Sequence, residues 1–125
     1  SLVERESREY EEMRGVAGVL WHRIEIGMPL QVDATMQYAR GYDSSRQTWW
    51  APPRAADKII DSPFNTYQIN GLPPSPISNP SLNAIKASLN PVDTNNLFYI
   101  HDSSGRIHYA ETLDGHNANV NRYLR

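Results

Sequence analysis

Asn65-Thr66-Tyr67-Gln68-Ile69-Asn70-Gly71-Leu72-Pro73-Pro74-Ser75-Pro76-Ile77-Ser78-Asn79-Pro80 is the stretch that limits what this chain can be. Four prolines and a glycine within it exclude a regular helix or a central strand. Proline fixes φ and withdraws a backbone donor, and the residue before it is pushed to extended geometry. A loop this stiff keeps its shape at low entropic cost, which suits the wall of a binding cleft. Composition by itself favours a plainer reading, a rigid surface connector.

Regular structure is expected on both sides of it. Pro80 opens a helix that continues through Ser81 to Leu89, with Leu82, Ile85 and Leu89 at helical spacing, and Asn90-Pro91 ends it. Leu97-Phe98-Tyr99-Ile100 and Arg106-Ile107-His108-Tyr109 flank Asp102-Ser103-Ser104-Gly105 as a β-hairpin. Thr112 is the N-cap of a last helix running towards Leu124. Upstream, residues 41–64 read as a long excursion in which Ala55 to Ile60 supplies a helical turn. Adjacent Trp49 and Trp50 sit there, either as a sugar-stacking platform or as a small satellite core under the loop. Leu2, Val3, Glu6, Tyr10 and Met13 share a helical face, and Gly15 interrupts that pattern. Val16, Val19, Leu20 and Ile24 form a second apolar stripe that stops at Gly27 with Pro29 behind it. One kinked helix and two separate helices both fit residues 1–26. Leu30 to Thr35 is extended or irregular, and Thr35 to Ala39 a short helical turn. The fold class is α+β: a helical N-terminal half, a long Pro-rich cleft loop, a helix, a β-hairpin and a C-terminal helix.

The length, 125 residues, suits a single domain spanning residues 1–125. A net charge of −2 without a basic stripe argues against a nucleic-acid partner. The acidic cluster Glu9, Glu11 and Glu12 reads as a solvated helix face. Absence of cysteine excludes thiol chemistry, disulfides and Cys-zinc sites. No apolar run reaches the length of a membrane span. The chain opens inside a helix without a start methionine, so it is expected to be a fragment.

Motifs in a fixed order carry a resemblance. Ser1-Leu2-Val3-Glu4-Arg5-Glu6, Val16 to Gln31, Val32-Asp33-Ala34-Thr35, the Asn65-Thr66-Tyr67 to Pro76-Ile77 loop, Ala87-Ser88-Leu89-Asn90-Pro91, Leu97-Phe98-Tyr99 and Thr112-Leu113-Asp114-Gly115-His116-Asn117 together resemble the YceG-like (MltG) endolytic murein transglycosylase family, which cuts peptidoglycan glycan strands. Departures from the family pattern are Ser75 for glycine, Ala34 for proline, His22 for asparagine, and Trp49-Trp50-Ala51-Pro52-Pro53 in place of a more polar insertion. The resemblance implies an N-terminal membrane anchor and a further domain upstream. It also implies action at the outer face of the cytoplasmic membrane in the bacterial cell envelope, in cooperation with peptidoglycan synthases (penicillin-binding proteins).

Glycosidic bonds break when the leaving oxygen is protonated as an oxocarbenium-like centre develops, which calls for a carboxyl kept neutral by burial. The resemblance assigns that role to Glu6, and Leu2, Val3 and Tyr10 lie on or near its face. Glu4 points elsewhere on the helix and reads as solvent-facing or structural. In a lytic transglycosylase one carboxyl suffices, because the muramic acid 6-hydroxyl attacks its own anomeric carbon and a 1,6-anhydro end results. Asp33 is the other acid in a family-like motif, and it orients the sugar, stabilises positive charge or closes a turn. Gln31, Asn65, Tyr67 and Asn79 are neutral donors and acceptors suited to substrate hydroxyl and acetamido groups. His101, His108 and His116 lack zinc-ligand spacing, and neither a metal nor any other cofactor is expected. His116-Asn117 is read as packing the last helix on the hairpin, with a cleft role open to it. Two alternatives stand beside the transglycosylase: a non-catalytic peptidoglycan-binding or scaffolding module, and a hydrolytic muramidase using Glu6 with Asp33.

Overall fold

A break at Ser7–Glu9 divides the N-terminal segment into two helices. The computed structural model describes residues 1–125, with α1 at Leu2–Glu6 and α2 at Tyr10–Glu25. Ser7 is buried and extended, and its Oγ donates to Glu12 Oε2 at 3.1 Å. Glu9 caps α2, its carboxylate accepting the backbone N–H groups of Glu11 and Glu12 at 3.0 and 3.2 Å. The acidic cluster is thus partly a helix start. Gly15 causes no interruption; it lies inside α2, where a side chain would collide with the Tyr109 hydroxyl. Gly18, one turn on, leaves room for the Val92 carbonyl.

Helix α3 covers Asp33–Arg40, longer than the expected turn, and a 3-10 turn covers Ala55–Ile59. Helix α4 is Leu82–Leu89, with Ser81 as N-cap accepting the Ala84 N–H at 3.2 Å, so Pro80 lies just outside it. Strands β1 (Phe98–His101) and β2 (Ile107–Ala110) pair antiparallel with Phe98 opposite Ala110 and His101 opposite Ile107. The last helix, α5, is Leu113–Tyr123, and Thr112 Oγ1 accepts the Gly115 N–H at 3.0 Å as expected. These five helices and one hairpin make the α+β fold that the sequence pattern implies.

The core forms where α1, α2 and α4 meet the chain leading into α3. Leu2, Val16, Leu20, Leu30, Val32 and Ala87 are its centre. Each buried Val or Leu contributes about 1.5–3 kcal/mol of hydrophobic stabilisation. The excursion of residues 41–64 hangs from α3 by polar links. Arg40 Nη1 meets Asp57 Oδ2 at 2.8 Å, Arg40 Nη2 donates to the Ala51 carbonyl at 2.6 Å, and Gln37 Nε2 donates to the same carbonyl at 2.9 Å. Trp50 is half-buried against the main core, not in a separate satellite core, with the Arg5 guanidinium 3.7 Å above its ring. Trp49 stays 60% exposed, edge-on to Tyr42.

The Pro-rich loop is pinned at three places. Thr66 is fully buried; its Oγ1 accepts the Val32 N–H at 2.9 Å and lies 2.8 Å from Thr35 Oγ1. The Asn65 amide donates to the carbonyls of Lys58 and Ile60 at 3.2 and 2.9 Å. At the far end Ser1 Oγ accepts the Ile77 N–H at 3.1 Å, and Glu4 accepts the N–H of Ser81, giving that residue a structural role. No helix is long and apolar enough to cross a membrane.

Candidate active site

Glu6 is the last residue of α1, where the helix ends against the hairpin. A cavity of about 440 Å³ opens beside it, lined among others by Arg23, Gln31, Asp33, Tyr67 and Tyr99. That volume is in the range of small-molecule sites. Burial pushes the Glu6 carboxyl up to about 7. A hydrogen bond from Tyr99 opposes this, the Asp33 charge raises it further, and Arg5 lowers it. Glu6 therefore holds a proton near neutral pH and gives it up at little cost, as a general acid that must later act as a base requires. Of the residues expected on or near its face, Leu2 and Val3 belong to the core and Tyr10 packs against it, while Tyr99 from β1 and Asp33 from α3 act on the carboxyl.

Asp33 opens α3 and accepts the Tyr67 hydroxyl proton at 2.7 Å. Burial, with that bond next, pushes the Tyr67 phenol up, and burial with the Glu6 charge does the same to Tyr99. Both phenols stay protonated and act as donors. Gln31 lines the cavity from a left-handed backbone position, φ +52°, fastened by its N–H to the Thr66 carbonyl at 3.2 Å. A non-glycine residue there is strained and persists because its surroundings hold it.

Four of the sequence-derived site residues therefore converge: Glu6, Gln31, Asp33 and Tyr67. Asn65 and Asn79 do not. Asn65 is buried and its amide is spent on its own loop, so it shapes the approach of Tyr67 from behind. Asn79 is exposed beyond the lining. Only the Tyr67 end of the Pro-rich loop faces Glu6. Leu72, Pro74 and Pro76 instead wall a separate apolar groove of about 400 Å³ with Leu20, Trp21 and Ile24.

Sequence reasoning passed over Arg23 and Tyr99. Arg23 lies at i+7, i+4 and i+3 from Val16, Val19 and Leu20, so a cation stands on a buried stripe, a signal in itself. Its Nε donates to the Leu97 carbonyl at 2.7 Å, and its Nη1 to the Pro29 and Leu30 carbonyls at 3.0 and 2.9 Å. His116 stacks on Phe98 at 5.0 Å, as expected for packing, and with Asn117 it also lines the cavity.

The YceG-like family model matches residues 1–122. The chain is 37% identical over 125 residues to an endolytic murein transglycosylase of Streptococcus pneumoniae strain D39, covering 99% of this chain and 22% of that protein. It is 36% identical over 124 residues to an endolytic murein transglycosylase of Bacillus subtilis strain 168, covering 99% of this chain and 33% of that protein. A crystal structure of a yceG-like protein from Listeria monocytogenes superposes with a TM-score of 0.82 at 33% identity, covering 94% of this chain and 36% of that one. The chain thus spans 22% and 33% of the lengths of the two transglycosylases. With a family match over nearly every residue and a solved relative of the same fold, the chain belongs to the YceG-like family.

Proposed function

We propose that the protein is the catalytic part of an endolytic peptidoglycan lytic transglycosylase. It cuts the β-1,4 bond between N-acetylmuramic acid and N-acetylglucosamine within a strand and leaves a 1,6-anhydro-muramic end, terminating nascent glycan. The observation that carries this reading is a cavity-facing Glu6 carboxyl raised to about 7. In the reaction Glu6 donates its proton to the bridging oxygen as the C1–O bond breaks. The muramic 6-hydroxyl attacks C1, and the Glu6 carboxylate takes the hydroxyl proton, which regenerates the acid without consuming water. Asp33 supplies negative charge near the developing oxocarbenium centre, and Tyr67 and Tyr99 donate hydrogen bonds. The similarity to proteins named murein transglycosylases supports peptidoglycan as substrate. The corresponding place of action is the cell envelope, at the outer face of the cytoplasmic membrane, with peptidoglycan synthases as the enzymes that supply the strand.

A second reading, a hydrolytic muramidase, is favoured by one fact: Asp33 shares the cavity with Glu6. Hydrolysis would need the pair about 5 Å apart for retention or roughly 6.5–9.5 Å for inversion. Mass spectrometry of the ends released from purified glycan strands by the protein at its native full length separates the two. Anhydro ends that vanish in Glu6→Gln support the transglycosylase. Reducing muramic ends support the muramidase, and binding without cleavage would leave only a scaffolding module.

A further inference from the structure

The cavity brings acids and a cation together. Arg23, Phe98, His116 and Asn117 line it with Glu6 and Asp33. Tyr67 and Tyr99 each feel the charges of Glu6 and of Arg23. Arg23 is the one arginine or lysine in the lining and is 7% exposed. Three backbone carbonyls occupy its Nε and Nη1, and the ring of Phe98 lies 5.1 Å from its guanidinium carbon. Its Nη2 has no protein partner and is not sealed from solvent. A planar guanidinium held this rigidly presents its remaining N–H groups at a fixed place, which a lysine cannot do.

A peptidoglycan strand alternates two sugars that differ in one substituent, the lactyl ether on muramic acid. Its carbonyl oxygen is a carboxylate in bare strands and an amide oxygen in peptide-bearing ones. An oxygen acceptor of either kind suits a buried cationic donor. We propose that the Arg23 guanidinium forms the lactyl subsite of the cleft and that it sets the register of the strand, so that a muramic rather than a glucosamine anomeric carbon comes to Glu6. Arg23 is then a specificity-determining residue, with Phe98 beside its guanidinium and His116 stacked on Phe98. This rests on the glycan-cleaving reading above.

The test measures binding by calorimetry to the full-length Glu6→Gln protein, which holds a ligand without cutting it. The ligands are a muramic-containing tetrasaccharide with a free lactyl carboxylate, the same molecule as its lactyl methylamide, and a chitotetraose that lacks the lactyl group. Both lactyl ligands are expected to bind roughly tenfold or more tightly than chitotetraose, each arm reporting one form of the acceptor. Equal affinity for chitotetraose would overturn the subsite. Failure of all three ligands to bind would overturn the glycan reading on which it rests. Arg23→Gln, added to Glu6→Gln, should abolish the preference for lactyl ligands, and its persistence in a folded variant would refute the role of Arg23. Should that variant not fold, the Arg23 Nε–H resonance of the Glu6→Gln protein gives the answer. It is expected to shift with lactyl ligands and not with chitotetraose, and an unmoved resonance refutes the assignment.

Discussion

At the scale of single residues, both the proposed chemistry and the pH dependence of stability turn on the proton of Glu6. Its carboxyl is raised from 4.5 to about 7, so between those values the folded protein holds a proton that the unfolded chain has lost. The stability Glu6 contributes is complete at low pH and is lost as pH rises through about 7. Glu6→Gln should therefore abolish cleavage yet stabilise the protein at pH 8 by about 1–3 kcal/mol, with little effect at pH 4, as read by denaturant unfolding. The proposed reaction needs Glu6 as the protonated acid, so kcat/KM for glycan cleavage should fall as pH rises through about 7. Asp33→Asn removes a charge that raises Glu6 and should move that fall to lower pH; an unmoved profile would count against the coupling. At Gln31 the positive φ sets a different expectation. Gln31→Gly should be tolerated, whereas β-branched Gln31→Val should cost about 1–3 kcal/mol.

At the scale of elements, the site depends on how the Pro-rich loop is fastened to the start of α3. The Thr35 and Thr66 hydroxyls are buried together, and one of them satisfies the Val32 N–H. Thr66→Val keeps the shape and strands that donor. The expected cost is about 1–3 kcal/mol in denaturant unfolding. Activity should drop more than stability would suggest, because Gln31, Asp33 and Tyr67 all hang on this joint. Full activity in a destabilised Thr66→Val protein would show that the joint supports the fold and not the cleft.

At the scale of the whole molecule, the cleft exists because the hairpin and α5 close over the C-terminal end of α1. In α2, Gly15 makes room for Tyr109 of the hairpin and Gly18 for the chain at Val92 that leads into it. At Gly18 an added methyl meets the backbone carbonyl of Val92, which cannot rotate away. At Gly15 it meets the tip of the Tyr109 side chain, which can. Gly18→Ala should thus cost about 1–3 kcal/mol through overpacking, and Gly15→Ala less, a ranking that thermal melts of the two variants will check. The segment at Val92 leads into β1 and Tyr99, so Gly18→Ala is expected to lower kcat for the proposed glycan cleavage as well.

Sequence by itself determined the elements whose causes are local. The Thr112 cap, the turn at Asp102–Gly105, the stop at Asn90-Pro91 and the irregular Pro-rich loop follow from propensities within a few residues. The ordered motifs also pointed to Glu6, Gln31, Asp33 and Tyr67, which do meet in one cavity. Tertiary structure alone decided the break at Ser7–Glu9, because that break depends on a buried serine and a glutamate cap where the apolar periodicity runs straight through. It alone showed that Asn65 faces its own loop, that the prolines wall a second groove, and that Arg23 and Tyr99 belong to the site. The reason is physical. The field at a carboxyl and the direction of an amide are set by atoms that are neighbours in space, contributed here by α1, α3 and β1, and no local spacing encodes which of those neighbours will meet.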